Sequence, residues 1–205
     1  MACNPVIRAV RSGLEEGRFG SPRQVHADPG FVVDQPATGR MFNPDLGGGA
    51  LLDMGIYPLT FATLVLGPAD SIAASATLSD QGVDLDVSLA GRHGEAVSAL
   101  TASMTSASPR TATIATTTGR LDLPASFHAP AYATWTPGEG EPERIDGAEP
   151  VIGTGLGNEA AHVQECLRAG LLESPLVPHA QTLTLIRQMD DVRRQIGVSY
   201  ASDRR

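Results

Sequence analysis

The sequence predicts an α+β domain, and three observations lead there. Apolar residues recur every three or four positions near both ends of the chain, as in helices that bury one face. Between about residues 71 and 123 the period drops to two, as in strands with one wet face. The gaps between those strands are short turns, too short for the crossovers that parallel neighbours need. Helix, strand, helix, several antiparallel strands and two closing helices give α+β rather than alternating α/β.

Element by element, Asn4-Pro5 reads as an N-cap followed by a first-turn proline, with Val6, Ile7, Val10 and Leu14 on one helical face. Gly13 or Gly17 can end that helix. RQVHA and then GFVV, within Pro22 to Val33, read as strand, and DQPATGR as a turn-rich segment. Gly47-Gly48-Gly49 opens a mostly apolar helix that stops at Gly67-Pro68, with a kink expected at Pro58 because proline removes a backbone donor. Ile72, Ala74, Ala76 and Leu78 alternate with small polar residues. Beyond Asp80-Gln81-Gly82, Val83, Leu85, Val87 and Leu89 alternate with Asp84, Asp86 and Ser88, which predicts a hairpin with the aspartates on its wet face. AVSALTASMTS, TATIATT and RLDL read as further strands, and Pro137 to Pro150 as a surface excursion rich in Gly, Pro and Glu. Glu159 to Ala169 and Thr182 to Ile196 read as helices stopped by Gly170 and Gly197. In the second, Leu183, Ile186, Met189, Val192 and Ile196 form the apolar stripe.

At 205 residues with 41% hydrophobic and 19% charged content, the chain is expected to make one sizeable domain, or at most two small ones, with enough apolar material for a real core. A net charge of −8 argues against nucleic acid, whose phosphates call for a basic patch. Leu46 to Leu66 carries Asp53 and Pro58 and reads as a buried helix, not a membrane span. Two cysteines cannot make a disulfide framework, so a reducing cytoplasm is expected. All 15 basic residues are arginine. A mechanism that needs a lysine ammonium must therefore take it from elsewhere.

Asp53 and Tyr57, four apart, share one helical face. A carboxylate can orient a hydroxyl beside it, and a tyrosine can pass a proton once a cationic neighbour lowers its pKa from about 10. The alternative is an aspartate that hydrogen-bonds near the glycine-rich start, with Tyr57 merely half-buried. Gly48 and Gly49 allow a close approach to the backbone, by a ligand or by packed protein. Arg40, just ahead of the glycine run, is a candidate substrate contact or a solvated turn residue. Gly153-Thr154-Gly155-Leu156-Gly157 falls short of a dinucleotide fingerprint, because the third glycine would fall on Asn158. It reads as a helix N-terminus. The five histidines (His26, His93, His128, His162, His179) have no metal-ligand spacing, and Cys166 reads as core.

RMFNPDLGGGALLDMGIYPL closely resembles the central motif of the glucose–fructose oxidoreductase/inositol dehydrogenase (Gfo/Idh/MocA) family. The tyrosine at position 57 resembles the branch of dimeric dihydrodiol and sugar dehydrogenases. NPVIRAVRSGLEEGRFGSPRQV, SASPRTATIATTTGRLDLPASFHAP and NEAAHVQECLRAGLLESPLVPHAQTL agree. The resemblance implies a single C-terminal substrate-binding and dimerisation domain over residues 1–205, without the N-terminal Rossmann domain that carries the family's cofactor loop and lysine. It implies an open, predominantly antiparallel sheet of about six strands with helices on one face, as in the C-terminal domain of glyceraldehyde-phosphate dehydrogenase. It implies Asp53 and Tyr57 as the catalytic pair, with Arg40, Gly48 and Gly49 near substrate. It also implies NAD or NADP as cofactor, bound by a domain outside this chain, and a homodimer through the bare sheet face. The functional expectation is the substrate half of an NAD(P)-dependent oxidoreductase acting on a sugar, polyol or dihydrodiol. The competing expectation is a non-catalytic binding or assembly module.

Overall fold

The structure, a computed structural model, describes residues 1–36 and 38–204; residue 37, within the turn-rich segment, lies outside the described residues. The first helix, α1 (Pro5–Glu15), starts as its sequence dictates: the Asn4 side chain accepts from the Val6 and Ile7 amides at 2.9 and 3.1 Å. Such a cap stabilises a helix by about 1 kcal/mol. Strand β1 (Pro22–Ala27) follows. GFVV does not continue it, since Gly30 makes only a single bridge to Ser103.

The glycine run leads into a five-residue π-helical turn, Leu51–Gly55, and then α2 (Ile56–Leu66). The distortion expected at Pro58 thus lies one turn upstream. Proline has no N–H to return and its ring crowds the preceding turn, so the backbone widens there. By length and composition Pro44–Leu66 could cross a membrane. In the fold it is broken into separate turns, and Leu51, Met54, Leu59, Phe61 and Ala62 pack in the core.

Strands β2 (Ser71–Leu78), β3 (Asp84–His93), β4 (Ala96–Ser103), β5 (Ala112–Thr116), β6 (Gly119–Leu123), β7 (Ala133–Pro137) and β8 (Glu143–Ile145) follow, then α3 (Leu156–Arg168) and α4 (His179–Ile196). They form one open sheet of eight strands, ordered β2-β3-β4-β1-β5-β6-β7-β8. The pairing of β1 with β4 is parallel and every other pairing antiparallel. The α+β class holds, with eight strands where about six were expected. The extra pair is β7, whose ATWTP is short and alternates over only two buried apolar residues, Ala133 and Trp135, and β8, inside the stretch read as a surface excursion.

The register aligns one apolar row across the sheet. Val87 faces Ala102, Leu89 faces Leu100, Val25 faces Ile114, Ile114 faces Leu121, and Leu121 faces Trp135. All of these are buried in the single main core with α1, α2 and α4 residues. The other face carries accessible small and polar side chains: Ser75, Ser88, Ala90, Ala99 and Thr101, with Val97 at 46% exposure.

Two sequence expectations are corrected. Asp84, assigned to the wet face, is 0% exposed. The pairing slips between Thr77 and Leu78, so that Leu78 opposes Asp84 and Leu85 is the extra residue. This bulge inverts the alternation and turns Asp84 inward. On α4 the buried residues are Leu185, Met189 and Val192, while Leu183 and Ile186 are exposed. The helix is rotated from the expected stripe, and its polar Gln188 and Gln195 bond the backbone of Ala69 and of Ile72 and Ala74.

Candidate active site

The site begins with a folded-back glycine turn. Short 3₁₀ turns at Arg40–Phe42 and Pro44–Leu46 precede it, and the Asn43 side chain accepts from the Asp45 amide at 2.9 Å. Gly48 N–H donates to Asn43 O and Gly49 N–H to Met41 O, at 3.0 and 2.9 Å. Gly48 packs so closely on the Arg40 and Met41 carbonyls that a Cβ there would lie 2.7 and 2.6 Å from them. Gly49, at φ +117, has its bare α-carbon against the Asp84 carboxylate. Both glycines are buried, and the chain's own atoms occupy the space beside them.

That turn places Arg40 beside the helix it opens, and the Arg40 guanidinium forms an ion pair with the Asp53 carboxylate. The two side chains are 52% and 30% exposed. Accessible positions then recur at 52–53, 56–57 and 60, with buried residues between, so Asp53 and Tyr57 stand on one accessible stripe. Tyr57 is 40% exposed, and its ring lies 4.7 Å from that of His128, centroid to centroid. His128 also meets Phe127 edge-on, and Phe127 meets Phe61 of α2. Burial pushes the His128 pKa down, and the chain's N-terminal ammonium and Arg110 push it the same way, so the ring is neutral at pH 7.

Chemically, the region sets hydrogen-bond donors, acceptors and a phenol side by side. A guanidinium offers N–H donors and the paired carboxylate offers acceptors, an arrangement suited to vicinal hydroxyls. Tyr57 adds a phenol that can hold or move a proton at a substrate oxygen. Arg40, Asp53 and Tyr57 come to one accessible region, whereas Gly48 and Gly49 form its hidden support.

Three contributors escaped the sequence reading. His128 lies 71 residues from Tyr57, with no spacing to link them. Asp84 was hidden by the bulge. Tyr200, near the C-terminus, donates its hydroxyl to Gly48 O at 2.7 Å in a buried contact. Burial first, and the nearby Asp84 carboxylate second, push its phenol up to about 12. Arg193 of α4 stacks over the Tyr200 ring at 4.9 Å and holds Asp190 and Asp203.

The other sequence candidates are accounted for by local structure. Gly155 precedes α3, and the Asn158 side chain accepts from Ile152 N–H and donates to Pro150 O. The loop is thus closed on itself by the residue that stands where a third glycine would be. Among the described residues β1–β4 is the sole parallel pair of strands, whereas a doubly wound dinucleotide fold is built on a mostly parallel sheet. His93 is buried, with its ring nitrogens 2.8 Å from Gly67 O and 3.0 Å from Ser98 Oγ. Among the described residues no cluster of three metal-ligating side chains occurs.

Residues 7–122 match the model of the GFO/IDH/MocA C-terminal domain. The chain is 33% identical to trans-1,2-dihydrobenzene-1,2-diol dehydrogenase of Mus musculus, over 98% of this chain and 61% of that protein. It is 32% identical to the same enzyme of Homo sapiens, again over 98% of the chain and 61% of the relative. Among solved structures, a 3-ketoreductase from Actinomadura kijaniata in complex with NADP and TDP-benzene superposes with a TM-score of 0.75 at 25% identity. The match covers 96% of this chain and 61% of that one. An aldose-aldose oxidoreductase from Caulobacter crescentus has the same fold, with a TM-score of 0.80 at 20% identity over 98% of this chain and 60% of that one. The chain therefore spans about three-fifths of the length of these relatives.

Proposed function

The chain belongs to the GFO/IDH/MocA C-terminal-domain family, and from that premise we propose that it is the substrate-binding half of an NAD(P)-dependent oxidoreductase acting on a dihydrodiol, sugar or polyol. The carrying observation is the Arg40–Asp53 pair set on the same accessible stripe as Tyr57, on a helix opened by the buried glycine turn. In this reading Asp53 and Arg40 orient substrate hydroxyls, and Tyr57 holds or takes up the proton at the reacting oxygen. The dinucleotide is bound by a separate domain, in keeping with the NADP in the ketoreductase relative and with the self-closed Gly153–Gly157 loop here.

Accessible apolar surface supports a second domain. A groove of about 440 Å³ runs between the chain start, α2, α3 and α4, lined by Met1, Cys3, Ile56, Val163, Leu185 and Ile186. Val163 and Ile186 are exposed there. The decisive experiment joins this chain to the dinucleotide domain of a dihydrodiol dehydrogenase and follows NADP reduction with trans-dihydrodiols and aldoses. Turnover that Tyr57→Phe lowers by about 10²-fold or more is expected. Absence of turnover with every substrate, or full turnover in the variant, would overturn the assignment. The chain alone is expected to leave NADPH fluorescence unchanged.

The bare sheet face is proposed to pair with a second copy. Its small residues, Ser75, Ser88, Ala90, Ala99 and Thr101, permit the close approach of two sheets, and Val97 supplies an apolar contact. Sedimentation at micromolar concentration is expected to give a dimer that Val97→Arg dissociates. A wild-type monomer would refute it.

A further inference from the structure

We infer that Asp84 is a positioning residue for the Arg40–Asp53 pair, acting through the glycine turn; this rests on the reading of that pair as the substrate site. Asp84 is fully buried on β3, far in sequence from the site, and its carboxylate grips the turn at two points. Oδ2 accepts the Leu51 amide at 2.5 Å, at the start of the π-helical turn that carries Asp53. Oδ1 rests against the α-carbon of Gly49 and has no hydrogen-bond partner. Gly49 in turn donates to Met41 O, next to Arg40, and Gly48 packs on the Arg40 carbonyl. One carboxylate thus touches the segment that leads to Asp53 and the segment that holds Arg40.

A buried acceptor left with an unmet lone pair costs free energy, so its retention calls for an explanation. The geometry supplies one: a neutral side chain of similar shape would still fill the space, but only a carboxylate makes a charge-assisted bond to the Leu51 amide. The groups facing Asp84 are few. The Ala50 and Leu51 amides come from the helix start, Arg193 from α4, and Tyr200 from the C-terminal segment, while Asp86 on the same strand bonds Ser103, Thr105 and Thr77. Burial, the dominant influence, pushes the Asp84 pKa up to about 6, against the pull of the amides and Arg193. The clasp therefore loosens on mild acidification, when the charge-assisted bond is lost.

The test uses the intact chain and amide NMR between pH 4.5 and 8. The Gly49, Leu51 and Asp53 amides and the Arg40 side-chain N–H are expected to titrate together with a midpoint of about 6. The step should vanish in Asp84→Asn and persist in Asp86→Asn. If Asp84→Asn does not fold, the wild-type titration and that of Asp84→Glu decide. No step near pH 6 in those signals, its persistence without Asp84, or Arg40 and Asp53 signals indifferent to Asp84→Asn would each overturn the inference. In the chain joined to a dinucleotide domain, Asp84→Asn should also flatten the acid limb of the pH–rate profile. A titrating clasp in a joined protein without turnover would keep the positioning role and remove the catalytic reading.

Discussion

Replacing Gly49 by alanine tests how tightly the turn is held, and Gly47 provides an internal control. Both have positive φ, +117 at Gly49 and +67 at Gly47. A Cβ at Gly47 meets nothing within 4 Å, so Gly47→Ala bears only the backbone penalty, about 1 kcal/mol, part of it offset by a stiffer unfolded chain. At Gly49 the added methyl collides with Asp84 Oδ1 and lies 3.0 Å from its carboxyl carbon. Asp84 is tied to Leu51 and enclosed by the core, so it has little room to yield. Overpacking of this kind costs about 1–3 kcal/mol beyond the strain. Gly49→Ala is thus expected to lose about 3 kcal/mol, a fall in Tm of roughly 6–12 °C for a chain of this size, against at most about 4 °C for Gly47→Ala. Urea denaturation, with midpoint and slope both measured, gives the free energies. Pairing Gly49→Ala with Asp84→Ala should recover part of the loss, so that the double variant is more stable than the sum of the singles predicts. Equal losses at the two glycines, or additive single variants, would show that Asp84 does not press on the turn.

Two more outcomes follow from the same structure. Asp84 has a folded pKa of about 6, above its ordinary carboxylate value, so its contribution to stability is greatest below about pH 4 and declines as pH rises through about 6. Relative to Asp84→Asn, the wild type should lose up to about 3 kcal/mol between pH 4 and 7, measured by urea melts at each pH; a difference that stays flat or grows with pH would contradict the burial argument. Arg40→Ala and Asp53→Asn remove an accessible ion pair, so each should cost less than about 1 kcal/mol of stability while abolishing substrate binding in the joined enzyme. Large unfolding effects in either variant would make the pair structural instead.

The parts of the fold that were legible in the sequence are those governed by local chemistry. The Asn4-Pro5 cap, the alternation from residue 71 onward and the glycine stops of α3 and α4 each act within a few residues of themselves. Elements that depend on distant partners were not legible. ATWTP becomes β7 because Trp135 can face Leu121, and ERI becomes β8 because β7 is there to receive it. Asp84 was misplaced because a one-residue bulge at Leu85 leaves no compositional mark and turns Asp84 to the opposite face, while Val87, Ser88 and Leu89 beyond it keep the expected alternation. On α4 several apolar residues could form a stripe, and only the helix's seat on β2 selects Leu185, Met189 and Val192. For the site, Asp53, Tyr57, Arg40 and the glycines share one continuous segment and could be read as a unit. His128 and Tyr200 join it through the tertiary fold alone.

The place of β1 in the sheet has a kinetic meaning. Strands β2-β3-β4 and β5-β6-β7-β8 are each meanders of sequence neighbours, and β1 is the one strand that touches both. Each meander can assemble from nearby turns, whereas β1 must wait for partners some seventy to ninety residues downstream. Entropy therefore makes the insertion of β1 the late step, slower than hairpin closure. On a ribosome, Pro22–Ala27 emerges before β4 and β5 and cannot pair with them until they have left the tunnel. The keystone of the sheet is thus also the strand that waits longest along the chain for its partners.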